Sequence, residues 1–290
     1  MKFSIKESKE KIKLGFYLLF ALLAFLPLIV NTGVKKTSNL PDPNELYNPS
    51  LGKIKNLEDA NLYIDSVIAT KPEKDTVQLV GAVSAFTKRR FYHGLCNYSI
   101  GDNWITALSG KLLWDHFSAI VEPEDILKHN EGLCSQQAIV FMELLRMRGI
   151  KTRSVGMGYP EGPGHFLTEV YYSGGWHLYD VDKEPKWKKI VNRHKSMDYY
   201  LANKDTLYMV YEGIMEKSTF NKTMEKVQYG TPGEFPARKM SMFHKATKIL
   251  TYALPLLFGV LSVQQIRKIN RQIKTRAALN AEKQAAVVLG

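Results

Sequence analysis

Cys134 is the residue of this chain best placed for nucleophilic chemistry, because it stands at the start of a predicted helix. In the stretch NEGLCSQQAIVFMELLRMRGI, residues 130–150, apolar residues recur at spacings of three and four, which predicts a helix that ends near Gly149. The unpaired backbone N–H groups and the positive dipole end at the start of that helix favour the thiolate form of Cys134. The alternative interpretation is a small buried side chain.

His165 and Asp180 lie in two segments that predict a β-hairpin, HFLTEVYY and WHLYDVD, joined by SGG. With a two-residue turn among residues 173–175, Asp180 pairs with Leu167 or Glu169. Because side chains alternate along a strand, Asp180 then shares a face with His165, within reach of a hydrogen bond.

A thiol, an imidazole and a carboxylate brought together can carry out acyl transfer. The thiolate attacks an amide or ester carbonyl, the imidazole takes and returns a proton, and the carboxylate fixes the tautomer and stabilises the imidazolium. Asp182 falls on the same strand face as Asp180 and is the alternative carboxylate. A three-residue turn would direct both aspartates to the wrong face unless a bulge restored them. His177 lies on the opposite face and is not expected to be the base.

The two stretches GLCSQQAIVFMELLRMRGIKTRSVGM and GHFLTEVYYSGGWHLYDVD together resemble the transglutaminase-like core of the papain-like cysteine enzyme superfamily. The resemblance spans residues 130–182 and rests on the order and spacing of Gly132, Cys134, Leu145, Arg146, Gly149, Ile150, Arg153, His165, Glu169, Val170, Trp176 and Asp180. It implies that Cys134 is the nucleophile, His165 the general base and acid, and Asp180 the orienting carboxylate, with a thioacyl-enzyme as the intermediate.

The chain departs from the family pattern at two places. The usual Asp-Pro-Thr of the family reads Asp180-Val181-Asp182 here, which keeps Asp182 as an alternative carboxylate. The family commonly has an aromatic residue two positions after the histidine, where this chain has Leu167.

The groups that would stabilise an oxyanion are less sharply defined by the sequence. The backbone N–H of Cys134 is the natural first donor, and Trp104 or Gln136 is a candidate second donor. The alternative interpretation is that Trp104 is buried for packing and that Gln136 is solvated. Trp176 is a candidate wall of the site, with core packing as its rival. The sequence has no HExxH, no cysteine pair at zinc spacing and no EF-hand loop, so neither a metal nor a cofactor is expected.

Predicted helices come first along the chain and predicted strands follow. Helices are predicted near 57–70 and 75–92, and another runs from a cap at Asp102 or Asn103 to about His116. The Cys134 helix, the strand IKTRSVGM and the hairpin come next. This order predicts an α+β fold, with an antiparallel sheet packed on the Cys-bearing helix and two candidate transmembrane helices at its flanks.

These elements divide the chain into five predicted segments. They are an N-terminal basic segment and anchor (1–31), a linker (32–52), a transglutaminase-like domain (53–245), a candidate transmembrane helix (246–266) and a basic cytoplasmic tail (267–290). Within the domain we expect a helical segment near 195–204, followed by a loop-rich stretch to about residue 245.

The net charge of +12 belongs mostly to the two ends of the chain. Residues 1–31 have five Lys and two Glu, and residues 249–290 have six basic residues and one Glu. The residues between them have 29 basic and 25 acidic side chains, which is close to balance. This distribution argues against a nucleic-acid partner.

Two apolar stretches lie beside these charges. LGFYLLFALLAFLPLIV, residues 14–30, predicts a retained anchor, and a cleaved signal peptide is its alternative. ILTYALPLLFGVLSV, residues 249–263, predicts a second span, and a buried core helix is its alternative. By the positive-inside rule both termini are expected in the cytoplasm and the catalytic domain on the extracytoplasmic side of the membrane.

These observations predict a membrane-anchored cysteine enzyme that acts on a protein or peptide amide, with hydrolysis favoured over transamidation. The alternative is a catalytically inactive transglutaminase-like domain that serves as an envelope scaffold or partner-binding module. Cys96 and Cys134 could form a disulfide in an exported domain, but a nucleophilic Cys134 predicts a free, packed Cys96.

Overall fold

The computed structural model describes residues 2–29, 41, 45–71, 75–158, 164–183, 195–213 and 216–288. The chain forms two compact units. The first, which we call the helical unit, contains Met1–Lys35, Tyr98–Ser118 and Phe243–Gly290. The second, the mixed unit, contains Lys36–Asn97 and Ala119–Met242.

The described residues form α-helices, β-strands and two short 3-10 helices. The α-helices are α1 (Lys2–Ile29), α2 (Leu57–Ala69), α3 (Thr76–Arg90), α4 (Ile100–Leu112), α5 (Pro123–Ile126), α6 (Cys134–Arg146), α7 (Met197–Ala202), α8 (Lys204–Tyr211), α9 (Lys217–Met224) and α10 (Arg238–Val288). The strands are β1 (Tyr92–His93), β2 (Glu131–Gly132), β3 (Lys151–Met157), β4 (His165–Tyr172), β5 (Gly175–Tyr179) and β6 (Val227–Tyr229). The 3-10 helices are Pro49–Lys53 and Asp115–Phe117.

The predicted hairpin is present, and its turn fixes the register of the sheet. Ser173 and Gly174 both have positive φ, which is typical of a two-residue type I′ turn. Tyr172 therefore pairs with Gly175, and Thr168 pairs with Tyr179. This is the two-residue turn for which the sequence placed Asp180 on the same face as His165.

The mixed unit is built around a four-stranded antiparallel sheet in the order β5-β4-β3-β6. Helix α6 packs on one face of the sheet, where Phe141 lies against Tyr179, and α2, α3 and α5 pack against α6. The other face packs into an apolar core with side chains of α7, α8 and α9, among them Tyr200, Tyr211 and Phe220. Helices on an antiparallel sheet confirm the predicted α+β class.

Two local predictions were wrong. Helix α4 begins at Ile100 with Ser99 as its cap, because the Ser99 side chain accepts from the Asp102 N–H while Asp102 accepts from the Ser99 N–H. The stretch predicted to be loop-rich, from about residue 204 to 245, contains α8, α9, β6 and the start of α10. Strand β6 is short and gains its hydrogen bonds from β3, a long-range pairing that no local pattern reveals.

In the helical unit, α1 and α10 run antiparallel to each other. Gln265 on α10 donates to the Glu10 carboxylate at 2.6 Å, and Lys268 donates to it at 2.8 Å. Further along α1, the Phe20 ring stacks on Phe258 with centroids 5.3 Å apart. Because the residue number rises along one helix as it falls along the other, the N-terminal part of α1 lies beside the C-terminal half of α10.

In the part of the chain that the structure describes, one helix is long and apolar enough to cross a membrane, Arg238–Glu282. This finding supports the second of the two predicted spans and does not extend to α1, so two candidate spans are reduced to one. The division into a span (246–266) and a basic cytoplasmic tail (267–290) stays a prediction. Helix α10 continues through both without interruption, because nothing after residue 266 breaks a helix.

Candidate active site

Cys134 occupies the first residue of α6, at the position predicted from the sequence. The segment before it is held by a short parallel pairing in which Tyr92 faces Glu131 and His93 faces Gly132. The chain then turns directly into the helix, so the thiol lies beside the first unpaired N–H groups of α6.

Gln136 holds this helix start from within the mixed unit. Its side-chain N–H groups donate to the carbonyl oxygens of Cys96 and Ile120, both at 2.8 Å. Its side-chain oxygen accepts from the backbone N–H groups of Cys96 and Leu133, both at 3.1 Å. Both amide hydrogens are therefore in use, and the structure gives Gln136 an anchoring role in place of the predicted oxyanion contact.

The structure brings Cys134, His165 and Asp180 together. His165 Nε2 lies 2.7 Å from Asp180 Oδ2, and the Cys134 thiol is a hydrogen-bond partner of the same imidazole. Since Nε2 is used by Asp180, Nδ1 is the nitrogen left for the thiol. Asp180 is fully buried and His165 is 9% exposed, whereas Cys134 is partly exposed.

The Asp180 carboxylate is satisfied on both oxygens. Besides His165, Oδ2 accepts from the Tyr211 hydroxyl at 2.7 Å, while Oδ1 accepts from the backbone N–H groups of Asp182 and Lys183 at 3.0 and 2.9 Å. The Tyr211 ring also packs edge-on against the His165 ring. These contacts fix the direction of the carboxylate and hence the direction of the imidazole.

The charged forms of His165 and Asp180 stabilise each other. Burial acts to lower the pKa of His165, but the Asp180 charge and hydrogen bond, together with Cys134, hold that pKa well above its usual value. Burial acts in the opposite sense on Asp180, yet the His165 charge and the hydrogen bonds from His165 and Tyr211 lower its pKa to about 2. The imidazolium–carboxylate pair is thus favoured at neutral pH.

Asp182, the alternative carboxylate, has a different set of partners. It lies 2.9 Å from His93 Nδ1 and accepts from the Gln137 side chain at 3.0 Å. A carboxylate oxygen of Asp182, a ring nitrogen of His165 and the sulfur of Cys134 lie within 4.8 Å of one another. Among the described residues this group is the one that could hold a metal ion.

The structure describes a packing role for one of the two candidate tryptophans. Trp176 packs against the Arg153 guanidinium, 4.5 Å from the ring centroid, and edge-on against Tyr171. It lies four residues from Asp180 along the strand direction, about 13 Å away at the usual rise, so the packing alternative describes it. Trp104 lies in α4 of the helical unit, and its role as an oxyanion donor stays a prediction.

Cys96 and Cys134 are both free. Cys96 is 1% exposed, and burial together with the charge of Glu131 raises the pKa of its thiol. The two thiols of the chain therefore differ in exposure and in surroundings, which makes Cys96 an internal control for the reactivity of Cys134.

Three residues that the sequence reasoning missed belong to this site: His93, Gln137 and Tyr211. Tyr211 lies 31 residues after Asp180, in a segment whose apolar pattern predicts nothing about its hydroxyl. His93 lies 89 residues before its partner Asp182. Only Gln137 carried a local signal, because it follows Cys134 by three residues and so lies on the adjoining helical turn.

Comparison with known proteins bears on the same region. No curated protein matches the chain. A solved structure described as the crystal structure of a TGase is 12% identical, with a TM-score of 0.31, over 62% of this chain and 41% of that one. This chain thus spans less than half of that protein's length. Residues 104–181 match the family model of the transglutaminase-like superfamily, an interval that contains Cys134, His165 and Asp180. The chain therefore carries a transglutaminase-like core at residues 104–181.

Proposed function

We propose that this protein is a membrane-anchored cysteine enzyme that cleaves amide bonds in proteins or peptides through a thioacyl intermediate. The observation that carries the proposal is the chain of contacts from the Cys134 thiol through the His165 imidazole to the buried Asp180 carboxylate. The three groups have the order and the hydrogen bonding that nucleophilic acyl transfer requires.

The first half of the reaction makes the thioester. With the proton on His165, the Cys134 thiolate attacks the carbonyl carbon, and the tetrahedral oxyanion forms near the N–H groups at the start of α6. The C–N bond then breaks, and the imidazolium gives its proton to the departing amine. Cys134 is left acylated and His165 neutral, still held by Asp180.

The second half of the reaction regenerates the free enzyme. Neutral His165 takes a proton from water, the resulting oxygen nucleophile attacks the thioester, and the C–S bond breaks to release a carboxylic acid. The His165 imidazolium and the Cys134 thiolate then form an ion pair again. An amine in place of water would give transamidation by the same steps. We favour water, because it is present at every exposed site.

The membrane placement is part of this proposal. Large apolar side chains are exposed along both long helices of the helical unit, including Phe16, Leu19, Leu22, Leu23 and Phe25 on α1 and Ile249, Tyr252, Leu256 and Leu257 on α10. The candidate span in α10 carries this placement, and α1, packed antiparallel on it, presents its apolar side chains to the same bilayer. The basic flanks then place both termini in the cytoplasm and the catalytic residues on the extracytoplasmic side.

Thiol alkylation tests the proposed nucleophile. The detergent-solubilised protein is treated with iodoacetamide from about pH 5 to pH 9, and each cysteine is quantified by mass spectrometry. We expect Cys134 to be alkylated rapidly below pH 7 and Cys96 only after unfolding, because burial raises the pKa of the Cys96 thiol. His165→Ala should slow the alkylation of Cys134 at least about tenfold at pH 6, because the thiol loses the base that takes its proton.

An acyl probe separates hydrolysis from transamidation. Incubation with p-nitrophenyl acetate should leave an acetyl group on Cys134, and its loss is then followed in buffer with and without a primary amine. Loss at the same rate in both supports a hydrolase, whereas acceleration by the amine overturns hydrolysis in favour of transamidation. Slow, equal alkylation of both cysteines and no acetyl-Cys134 would contradict the enzyme proposal and favour the inactive scaffold.

A further inference from the structure

Helix α4 has the reverse of the polarity found in a water-soluble helix. Its buried positions hold small or polar side chains, namely Asn103, Thr106, Ala107 and Gly110. Its exposed positions are the charged Asp102 and Lys111 and the apolar Leu108 and Leu112, and the two residues that follow the helix are also exposed and apolar. Leu112 and Leu113 are each 77% exposed, Trp114 is 54% exposed and Leu108 is 38% exposed. In water this arrangement would leave the apolar surface unfavourably solvated.

The polar face of α4 is satisfied inside the helical unit by α10. The Asn103 side-chain N–H donates to Thr247 Oγ1 at 2.9 Å, and the Thr106 and Thr247 hydroxyls lie 2.7 Å apart. The Thr251 hydroxyl donates to Asn103 Oδ1 at 3.2 Å. Polar side chains that bond across a helix interface are typical of helices packed in lipid, where small residues allow close approach.

The segment after α4 is also fixed to α10. His244 Nε2 lies 2.9 Å from the Phe117 carbonyl oxygen, and the Phe117 ring packs on Phe243. Gly110 admits Ser118 so closely that a Cβ at this glycine would lie 2.6 Å from the Ser118 side chain. The exposed leucines are therefore held in place by a tightly packed segment.

The same reversed polarity runs through the other two helices of the unit. Ala24 on α1 and Thr251 and Ser262 on α10 are buried, at 6%, 0% and 3% exposure. Leu22 on α1 and Leu256 on α10 are 59% and 70% exposed. Helix α4 packs against α1, so its apolar side chains continue the apolar surface of the two long helices.

We propose that α4 is a third lipid-contacting helix, whose Leu108, Leu112, Leu113 and Trp114 are covered by the acyl chains and interface of a bilayer. The proposal rests on the membrane placement proposed above. At 13 residues, α4 is about 20 Å long, shorter than the roughly 30 Å apolar core of a bilayer. It therefore enters one leaflet without crossing, and Trp114 suits the headgroup level.

The proposal has a consequence for the transglutaminase-like core. Residues 104–181 match that family, and the first nine of them are the lipid-contacting part of α4. The membrane is then a component of the folded core in this chain and more than a site of attachment for its two ends.

A fluorescent probe at defined positions tests the proposal in the full chain. In a Cys134→Ser background the buried Cys96 is unlabelled, and NBD is attached to Leu112→Cys after reconstitution into phosphatidylcholine–phosphatidylglycerol nanodiscs. Leu256→Cys, on the proposed span, is the lipid reference. Leu62→Cys, which is 62% exposed on α2 of the mixed unit, is the matched control for exposure. Leu113→Cys repeats the measurement if the first variant does not fold.

We expect a nitroxide on the lipid acyl chains to quench NBD at positions 112 and 256 by similar fractions and to leave position 62 unchanged. If position 256 is quenched and position 112 behaves like position 62, α4 faces water and the proposal is wrong. Blue-shifted but unquenched emission at position 112 would show a protein partner or a second copy on this face, which also overturns it. No quenching at position 256 would contradict the proposed membrane placement itself.

Discussion

At the residue scale, two aspartates only two positions apart have distinct environments. Asp180 is fully buried and bonds to His165 and Tyr211. Asp182 bonds to His93, whose side chain is 37% exposed, and to Gln137. The sequence left both as candidates for the orienting carboxylate because side chains alternate with a period of two along a strand. The hydrogen bonds favour Asp180.

Substitution of each aspartate distinguishes their roles. Asp180→Asn removes the charge that keeps His165 protonated, so we expect Cys134 to be alkylated at least about tenfold more slowly at pH 6. Asp182→Asn removes a negative charge close to the sulfur and should leave the rate unchanged or raise it. The measurement is the pH profile of Cys134 alkylation for both variants. A large fall for Asp182→Asn with none for Asp180→Asn would transfer the orienting role to Asp182.

At the element scale, the start of α6 is held by the Gln136 side chain and not by a capping residue directly before the helix. The residue before Cys134 is Leu133, which cannot cap a helix with its side chain. The Gln136 side chain reaches back to the Leu133 N–H and at the same time bonds to the backbone of Cys96 and Ile120. One amide therefore joins three segments at the position where the nucleophile must be held.

Loss of this amide should destabilise the mixed unit. Gln136→Leu removes a hydrogen-bond partner from four backbone groups, of which the Cys96 carbonyl keeps the Ile120 N–H as a second donor. We expect this loss to lower the free energy of unfolding by about 3 kcal/mol or more. The matched control is Gln78→Leu at an exposed position of α3, where we expect a change of about 0.5 kcal/mol or less. Unfolding is followed by the alkylation of buried Cys96 in increasing denaturant. Equal effects of the two substitutions would contradict the anchoring role.

At the scale of the whole molecule, the two units bury opposite kinds of side chain. The mixed unit has an apolar core that includes Val155, Leu167 and Leu178, and it also buries the His165–Asp180 pair. The helical unit buries small and polar residues and exposes leucines and phenylalanines. In the proposed membrane placement, water around the mixed unit and lipid around the helical unit make both arrangements favourable.

The buried pair makes the stability of the mixed unit depend on pH. The pKa of Asp180 is lowered to about 2, so its contribution is present above the unfolded value near 4 and is lost as the pH falls toward 2. The pKa of His165 is raised, so its contribution is present below about 6.5 and is lost as the pH rises through the raised value. Both contributions are complete only between about pH 4 and pH 6.5.

This predicts a bell-shaped difference in stability. A His165→Gln, Asp180→Asn double variant lacks both titrations, and the native chain should exceed it by an amount on the order of 2 kcal/mol at pH 5, with smaller differences at pH 3 and pH 9. Alkylation of Cys96 during heating reports the unfolding temperature at each pH. A difference that is constant across this range would show that the pair is not charged in the folded state.

The sequence by itself determined which residues are the candidates for catalysis and which secondary-structure elements contain them. Apolar spacing placed Cys134 at a helix start, and period-two alternation with a turn at Ser173 and Gly174 placed His165 and Asp180 on one strand face. These relations hold over short distances along the chain, where backbone geometry alone fixes which side chains share a face.

Only the tertiary structure decided which carboxylate the imidazole meets and what surrounds it. Tyr211 lies 31 positions from its partner Asp180, and His93 lies 89 positions from its partner Asp182. Gln136 bonds to the carbonyl oxygen of Ile120, 16 positions away along the chain. The tertiary structure also decided that Trp176 packs on Arg153 and that α4 turns its polar face inward. The physical reason is that a hydrogen bond depends on distance and direction between atoms, which packing sets and local periodicity does not.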